Sequence, residues 1–236
     1  MRFLPGHRML PALIAAAALL VAPSSIAAPA GTITVYGANG GSHLAISSTG
    51  SRILVKGRMA HARPHGCRLL HHRLLAVCRL SGASRIEVLM GPHGDFVEVT
   101  NRLPIPLTVH LGGGSDKFIG NGENDTCYSE GARRNRCVGG PGNDVCITGQ
   151  QNSDCVGGPG NDYCHTGAGS DGCWGGPGND ICVMGPGEDG CHGEGGNDRL
   201  FGGPGADQLY GGTGWNWCDG LPGWGRSHNC AAGPRH

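Results

Sequence analysis

Nine aspartates, Asp116, Asp125, Asp144, Asp162, Asp171, Asp180, Asp189, Asp198 and Asp207, recur at multiples of nine residues, with one extra residue between Asp125 and Asp144. Most end a glycine-rich run such as GGPGND at 139–144. A carboxylate is a hard oxygen ligand, and a glycine-rich turn can aim several backbone carbonyls at one point. Together they are the donors a hard divalent cation takes. Brought to the spacing of neighbouring strands, about 4.8 Å, such carboxylates would repel one another without a counter-ion. Other chemistry is poorly served. His61, His65, His71 and His72 lie close in sequence, but no HExxH, GxSxG or spaced Cys/His set accompanies them, so they read as surface histidines.

The elements that must position the aspartates follow from the period. From Leu111 to Asp219 the chain divides into twelve nine-residue units, LGGGSDKFI, GNGENDTCY, then after an inserted Ser129 EGARRNRCV, GGPGNDVCI and so on to GGTGWNWCD. Position six is Asp in nine of them, and position eight is always Phe, Leu or Cys. Each unit reads as a six-residue turn and a three-residue strand. Side chains alternate along a strand, so position eight faces inward while seven and nine face outward. Two units make one coil, and the turns then alternate between two edges. Asp125, Asp144, Asp162, Asp180 and Asp198 share the first edge; Asp116, Asn135, Ser153, Asp171, Asp189 and Asp207 share the second.

These units resemble the nonapeptide repeats of the RTX, or hemolysin-type, calcium-binding family. The resemblance covers residues 111–219 and implies an all-β fold, a parallel β-roll. It also implies Ca²⁺ as the bound ion, held between turns of successive coils by the nine position-six aspartates and by backbone carbonyls. The family usually places a large aliphatic residue at position eight. Here Cys127, Cys137, Cys146, Cys155, Cys164, Cys173, Cys182, Cys191 and Cys218 take that place, and only Phe118, Leu200 and Leu209 are of the usual kind.

Cysteine buries less apolar area than leucine, so the core loses driving force. Disulfides, typically worth about 2–4 kcal/mol each, can compensate. A stapled roll with every cysteine paired is therefore expected. Cys67 is expected to join Cys78, and Cys218 to join Cys230. For the eight cysteines between, two connectivities fit: neighbours nine or ten apart across the core, or stacked neighbours about eighteen apart on one sheet. A reduced thiol–metal cluster fits less well, because one inward cysteine per strand strings the thiols along an axis.

The remaining segments fall on either side. Residues 1–30 read as a secretory signal peptide: Arg2 and Arg8, an apolar run of about 14 residues, then the small residues of SSIAAPA. That run is shorter than the roughly 20 residues a membrane span takes, so no stable membrane insertion is expected after cleavage. Residues 31–110 contain strand-like stretches, TITVY, HLAIS, RILVK, LLAVCRL, SRIEVLM, DFVEV and PLTVHL, and read as a small N-terminal β-rich cap. Residues 220–236 would close the other end, with Trp215, Trp217 and Trp224 nearby. The N-terminal part is basic, nine Arg/Lys against three Asp/Glu in 31–110, and the repeats are acidic, seven against fifteen in 111–236. No aromatic interleaving points to nucleic acid. The expectation is a secreted, extracellular, non-enzymatic calcium-binding roll. An adhesion protein with a cell-envelope or surface ligand is the alternative, and a secreted hydrolase with a repeat tail a more distant one. The outward face bearing Tyr128, Val145, Ile147, Tyr163, Ile181, Val183 and Phe201 is expected to pack on the cap, a second copy or a ligand.

Overall fold

The computed structural model describes residues 31–63, 67–70, 72, 74–131, 133–220 and 225–232. The signal-peptide reading of 1–30, together with His65, His71 and Trp224, lies outside them. Among the described residues every regular element is a strand. The strands form two sheets, of eleven and twelve strands, in which almost every neighbour is parallel and belongs to the next coil. The fold is a parallel β-solenoid.

Its core follows the unit register. In the repeats, β10 (Lys117–Ile119), β11 (Thr126–Ser129) and β12 (Arg136–Val138) each bury the middle position, and the strands that follow do the same. Phe118, Leu200, Leu209 and the position-eight cysteines are the buried file. The first sheet stacks Cys127, Cys146, Cys164 and Cys182 in register, and the second stacks Cys137, Cys155, Cys173 and Cys191.

The cysteines pair across the core rather than along a sheet. Cys127 joins Cys137, Cys155 joins Cys164 and Cys173 joins Cys182. Facing Cα atoms in these pairs are 6.2, 6.2 and 6.6 Å apart, where packed sheets are ordinarily about 10 Å apart. A residue as small as cysteine lets the two sheets come this close, and that brings facing sulfurs into bonding range. Cys67–Cys78 and Cys218–Cys230 pair as expected. The expectation that every cysteine is paired does not hold. Cys146 and Cys191 are buried free thiols. The physical reason is the pairing order: once Cys137 is taken by Cys127 and Cys155 by Cys164, Cys146 has no free partner across the core.

The N-terminal segment joins the same sheets. β1 (Thr32–Gly37) and β7 (Arg85–Leu89) run parallel beside β9 (Leu107–His110), while β2 (His43–Thr49) and β8 (Phe96–Val99) run parallel beside β10. The sheets therefore continue without a break across residues 110 and 111. The open end is covered by antiparallel strands. β3 (Arg52–Gly57) pairs with β2, β4 (Met59–Arg63) with β1, β6 (Leu75–Arg79) with β3, and β5 (Arg68–Leu70) with β6. Cys67–Cys78 ties β6 to the residue just before β5. This change of direction halts the parallel register, which would otherwise offer an edge to another chain. The seven strand-like stretches are all strands; β4 and β5 lie in the Arg/His-rich part, where local pattern gave no signal.

The cap strands extend the sheets end-on and do not fold over the outward face, so the face carrying Tyr163 keeps its exposure, 36 % for that residue. The second sheet carries Lys117, Arg136, Asp154, Gly172 and Gly190 at its seventh positions, but it is not polar throughout. Its ninth positions, Ile119, Val138, Val156 and Trp174, are apolar, and Trp174, His192, Tyr210 and His228 form a continuous ring stack with centroids 6.0, 4.7 and 5.1 Å apart. Each inner ring spends both faces on its neighbours.

Candidate metal centre

The turns that carry the aspartates stack through their own backbone. In the coil at 157–162 the N–H of Gly158 donates to the Gly175 carbonyl at 2.9 Å, and that of Gly160 to the Pro177 carbonyl at 2.9 Å. Gly158 and Gly160 have φ of +116° and +146°, conformations that side chains rarely adopt. A Cβ at Gly160 would also collide with the Gly142 carbonyl of the coil before. The turn thus demands glycine twice over, for its dihedrals and for its approach to the neighbouring turn.

This stacking aligns the aspartates in two rows. On the first edge the N–H of Asp125 donates to Oδ1 of Asp144 at 2.7 Å, Asp144 to Asp162 at 2.7 Å, Asp162 to Asp180 at 2.8 Å and Asp180 to Asp198 at 2.9 Å. The row opens with the Leu107 N–H on Asp125 and closes with Asp198 on Oδ1 of Asn216. On the second edge the Asp171 N–H donates to Asp189 at 2.8 Å and Asp189 to Asp207 at 3.1 Å. Asp116 donates to Asn135, and the Ser153 N–H to Asp171. All nine aspartates singled out by the repeat are buried.

The rows contain a residue that the repeat register missed. The Asp95 N–H donates to Oδ1 of Asp116 at 2.7 Å, and Oδ1 of Asp95 accepts the Ser42 N–H at 2.6 Å. Asp95 is 4 % exposed. The signal was present as MGPHGDFVE at 90–98, which matches MGPGEDGCH at 184–192 in its methionine, first glycine, proline and aspartate. A second ladder was also missed. On the first edge, Oδ1 of the position-five residues Asn124, Asn143, Asn161, Asn179 and Asn197 accepts the N–H one coil further on at 2.7–2.8 Å. The two ladders run in opposite senses, so each turn is held to both of its neighbours.

One oxygen of nearly every aspartate remains unused. Oδ2 of Asp95, Asp116, Asp144, Asp162, Asp171, Asp180, Asp189, Asp198 and Asp207 is buried without a hydrogen-bond partner. A buried acceptor left this way costs about 1–3 kcal/mol, more if charged. The space beside these oxygens is made by glycine: a Cβ at Gly139, Gly157 or Gly175 would run into Oδ2 of Asp144, Asp162 or Asp180. Burial pushes the carboxyls of Asp116, Asp144, Asp180 and Asp189 up to about 7, and those of Asp125 and Asp162 up to about 6. For Asp144, Asp180 and Asp189 the carboxylates above and below add to the rise. Asp95, Asp171, Asp198 and Asp207 are also raised by burial. Rows of oxygen donors that are buried, mutually repelling and unpaired fit a hard divalent cation.

A family model described as RTX calcium-binding nonapeptide repeat (4 copies) matches residues 108–132, 156–182 and 192–223. The chain carries RTX calcium-binding repeats. They are folded as a β-roll, and such repeats bind calcium. Neither the curated proteins nor the solved structures contain a match to this chain.

The gap between the first two matched stretches holds the break in the second edge. Asn135 turns an amide nitrogen, Nδ2, where Asp116 presents Oδ2, and that nitrogen has no hydrogen-bond partner. A donor there has nothing to offer a cation. Ser153 is too short to replace it and gives its hydroxyl to the Gln151 carbonyl. Beside this break the Arg134 guanidinium reaches both oxygens of Asp154, at 3.0 and 3.2 Å. Successive aspartates therefore pair without interruption along the first edge, but on the second only as 95 with 116, 171 with 189 and 189 with 207.

Proposed function

We propose that this is an exported calcium-binding protein in which Ca²⁺ is structural, held along both edges of the roll. The ligands are Asp116, Asp125, Asp144, Asp162, Asp171, Asp180, Asp189, Asp198 and Asp207, joined by Asp95. The observation that carries this reading is the file of buried Oδ2 atoms without partners. Bound Ca²⁺ supplies positive charge to those oxygens. The chain's own part is to hold each carboxylate in place through its Oδ1 bond to the next amide, and to clear the space beside Oδ2 with glycine. At tenfold over Kd each site adds roughly 1.4 kcal/mol to the folded state. A few sites then match the contribution of a thin cysteine core.

Export is supported by the leader-like residues 1–30 and by ten cysteines held as disulfides, bonds that persist in oxidising compartments. In such a compartment the ion would be abundant, and the roll would compact only after export. Among the described residues no catalytic constellation supports a hydrolase. The test is circular dichroism and calorimetry on the oxidised mature protein titrated with Ca²⁺. A gain of β-structure or a higher unfolding temperature is expected; a chain with the same spectrum and melting point at every Ca²⁺ concentration contradicts the reading.

A further inference from the structure

The eight consecutive core cysteines admit two pairing frames. In one, each cysteine of the first sheet joins the next cysteine of the second: 127 with 137, 146 with 155, 164 with 173 and 182 with 191. In the other, each cysteine of the second sheet joins the next of the first: 137 with 146, 155 with 164 and 173 with 182. The structure contains both, Cys127–Cys137 in the first frame and Cys155–Cys164 with Cys173–Cys182 in the second. Cys146 is stranded where the frames meet, and Cys191 at the far end.

We infer that these sulfurs form an exchange relay, in which a free thiol moves along the core by shifting the disulfide frame and stays on the sheet where it began. The sulfurs of Cys164, Cys173 and Cys182 all lie within 4.8 Å of one another, so Cys164 already neighbours the partner it takes in the other frame. Both free thiols stand at the same unit position as the bonded cysteines. Cys146 is stacked between Cys127 and Cys164, and Cys191 beside Cys173.

Each step is a thiol–disulfide exchange. The sulfur of Cys146 attacks that of Cys155; the 146–155 bond forms, the 155–164 bond breaks, and Cys164 leaves with the proton Cys146 gave up. Cys164 then attacks Cys173, which frees Cys182. No electrons are gained or lost. Cys182 and Cys191 are now thiols at positions that face across the core. Closing them removes two electrons and two protons, which a low-molecular-weight disulfide such as oxidised glutathione accepts as it becomes two thiols. The product is the first frame throughout, with four disulfides among the eight cysteines. The shift also moves staples from one edge to the other. Cys155–Cys164 and Cys173–Cys182 enclose the turns of Asp162 and Asp180, whereas 164–173 and 182–191 enclose those of Asp171 and Asp189.

The relay has a parity that other routes lack. A thiol starting at Cys146 can appear at Cys127, Cys164 or Cys182 but never on the second sheet; one starting at Cys191 can appear at Cys173 or Cys155 but never on the first. Exchange between stacked neighbours would break this rule. The experiment uses full-length oxidised protein with metal chelated, incubated at pH 8, quenched with acid, alkylated and mapped by mass spectrometry. In Cys191→Ser the label is expected to spread from Cys146 to Cys164 and Cys182, and in Cys146→Ser from Cys191 to Cys173 and Cys155. Label that stays at the starting cysteine in both variants, or that crosses to the opposite sheet in either, overturns the relay. The unsubstituted protein gives a second reading independent of any variant's folding. With oxidised glutathione its thiols are expected to fall from two to none, with 146–155, 164–173 and 182–191 cystines appearing. Two persisting thiols in the original map would contradict it.

Discussion

Nearly every aspartate of the rows divides its work between its two oxygens: Oδ1 accepts an amide of the coil before, and Oδ2 is left buried and free, except at Asp125, whose Oδ2 accepts the Asn121 N–H. The metal-free protein therefore has an unusual dependence on pH. Carboxyls of the folded roll reach about 6 at Asp125 and Asp162 and about 7 at Asp116, Asp144, Asp180 and Asp189, against an ordinary 3.8. Between those values the folded state holds more protons than the unfolded chain, so stability falls as pH rises through the window. In chelator, the roll should melt at a lower temperature at pH 8 than at pH 5. Calcium needs the ionised form and should raise the melting temperature more at pH 8. Thermal unfolding at the two pH values, with chelator and with Ca²⁺, checks both trends; equal melting temperatures in chelator would show that the carboxyls are not desolvated as described.

At the scale of the element, the glycine turn and the three-residue strand obey separate demands. Gly160 combines φ of +146° with a neighbouring carbonyl in the place of a Cβ, whereas a Cβ at Gly190, on a strand of the second sheet, would meet nothing within 4 Å. Gly160→Ala should then cost about 1–3 kcal/mol or more, and Gly190→Ala stay within about 0.5 kcal/mol, as read by denaturant unfolding in saturating Ca²⁺. Such demands explain what was legible in the sequence. Turn and core constraints recur every nine residues, so the unit, its inward eighth position and the two edges could be read before any coordinates. Asp95 escaped because its unit carries His93 at a usual glycine position and has Val97 in place of cysteine or leucine. The coils at 32–49 and 85–99 escaped as coils because β1, β2 and β7 follow strand alternation but lack a full nonapeptide around them. Pairing across the core was undecidable from spacing, since it depends on how closely two cysteine-lined sheets approach. The free thiols were unreadable for a related reason: either frame satisfies the same nine-residue spacing.

Over the whole molecule, one solenoid runs from β1 to the last described strands, with antiparallel pairing at its N-terminal end and a disulfide, Cys218–Cys230, at the other. Its two edges are unequal. The first is an unbroken file from Asp125 to Asp198; the second is interrupted at Asn135 and Ser153. If a site takes carboxylates from two successive turns, the edges must load differently, and a substitution's effect must depend on its neighbours above and below. Isothermal titration calorimetry with Ca²⁺ on the oxidised protein, Asp162→Ala and Ser153→Ala tests this most directly. Asp162 lies between Asp144 and Asp180, so Asp162→Ala should weaken two sites at once, while Ser153→Ala should bind as many ions as the unsubstituted protein. Equal losses in the two variants, or no loss in either, would mean that the buried aspartate rows do not bind the calcium.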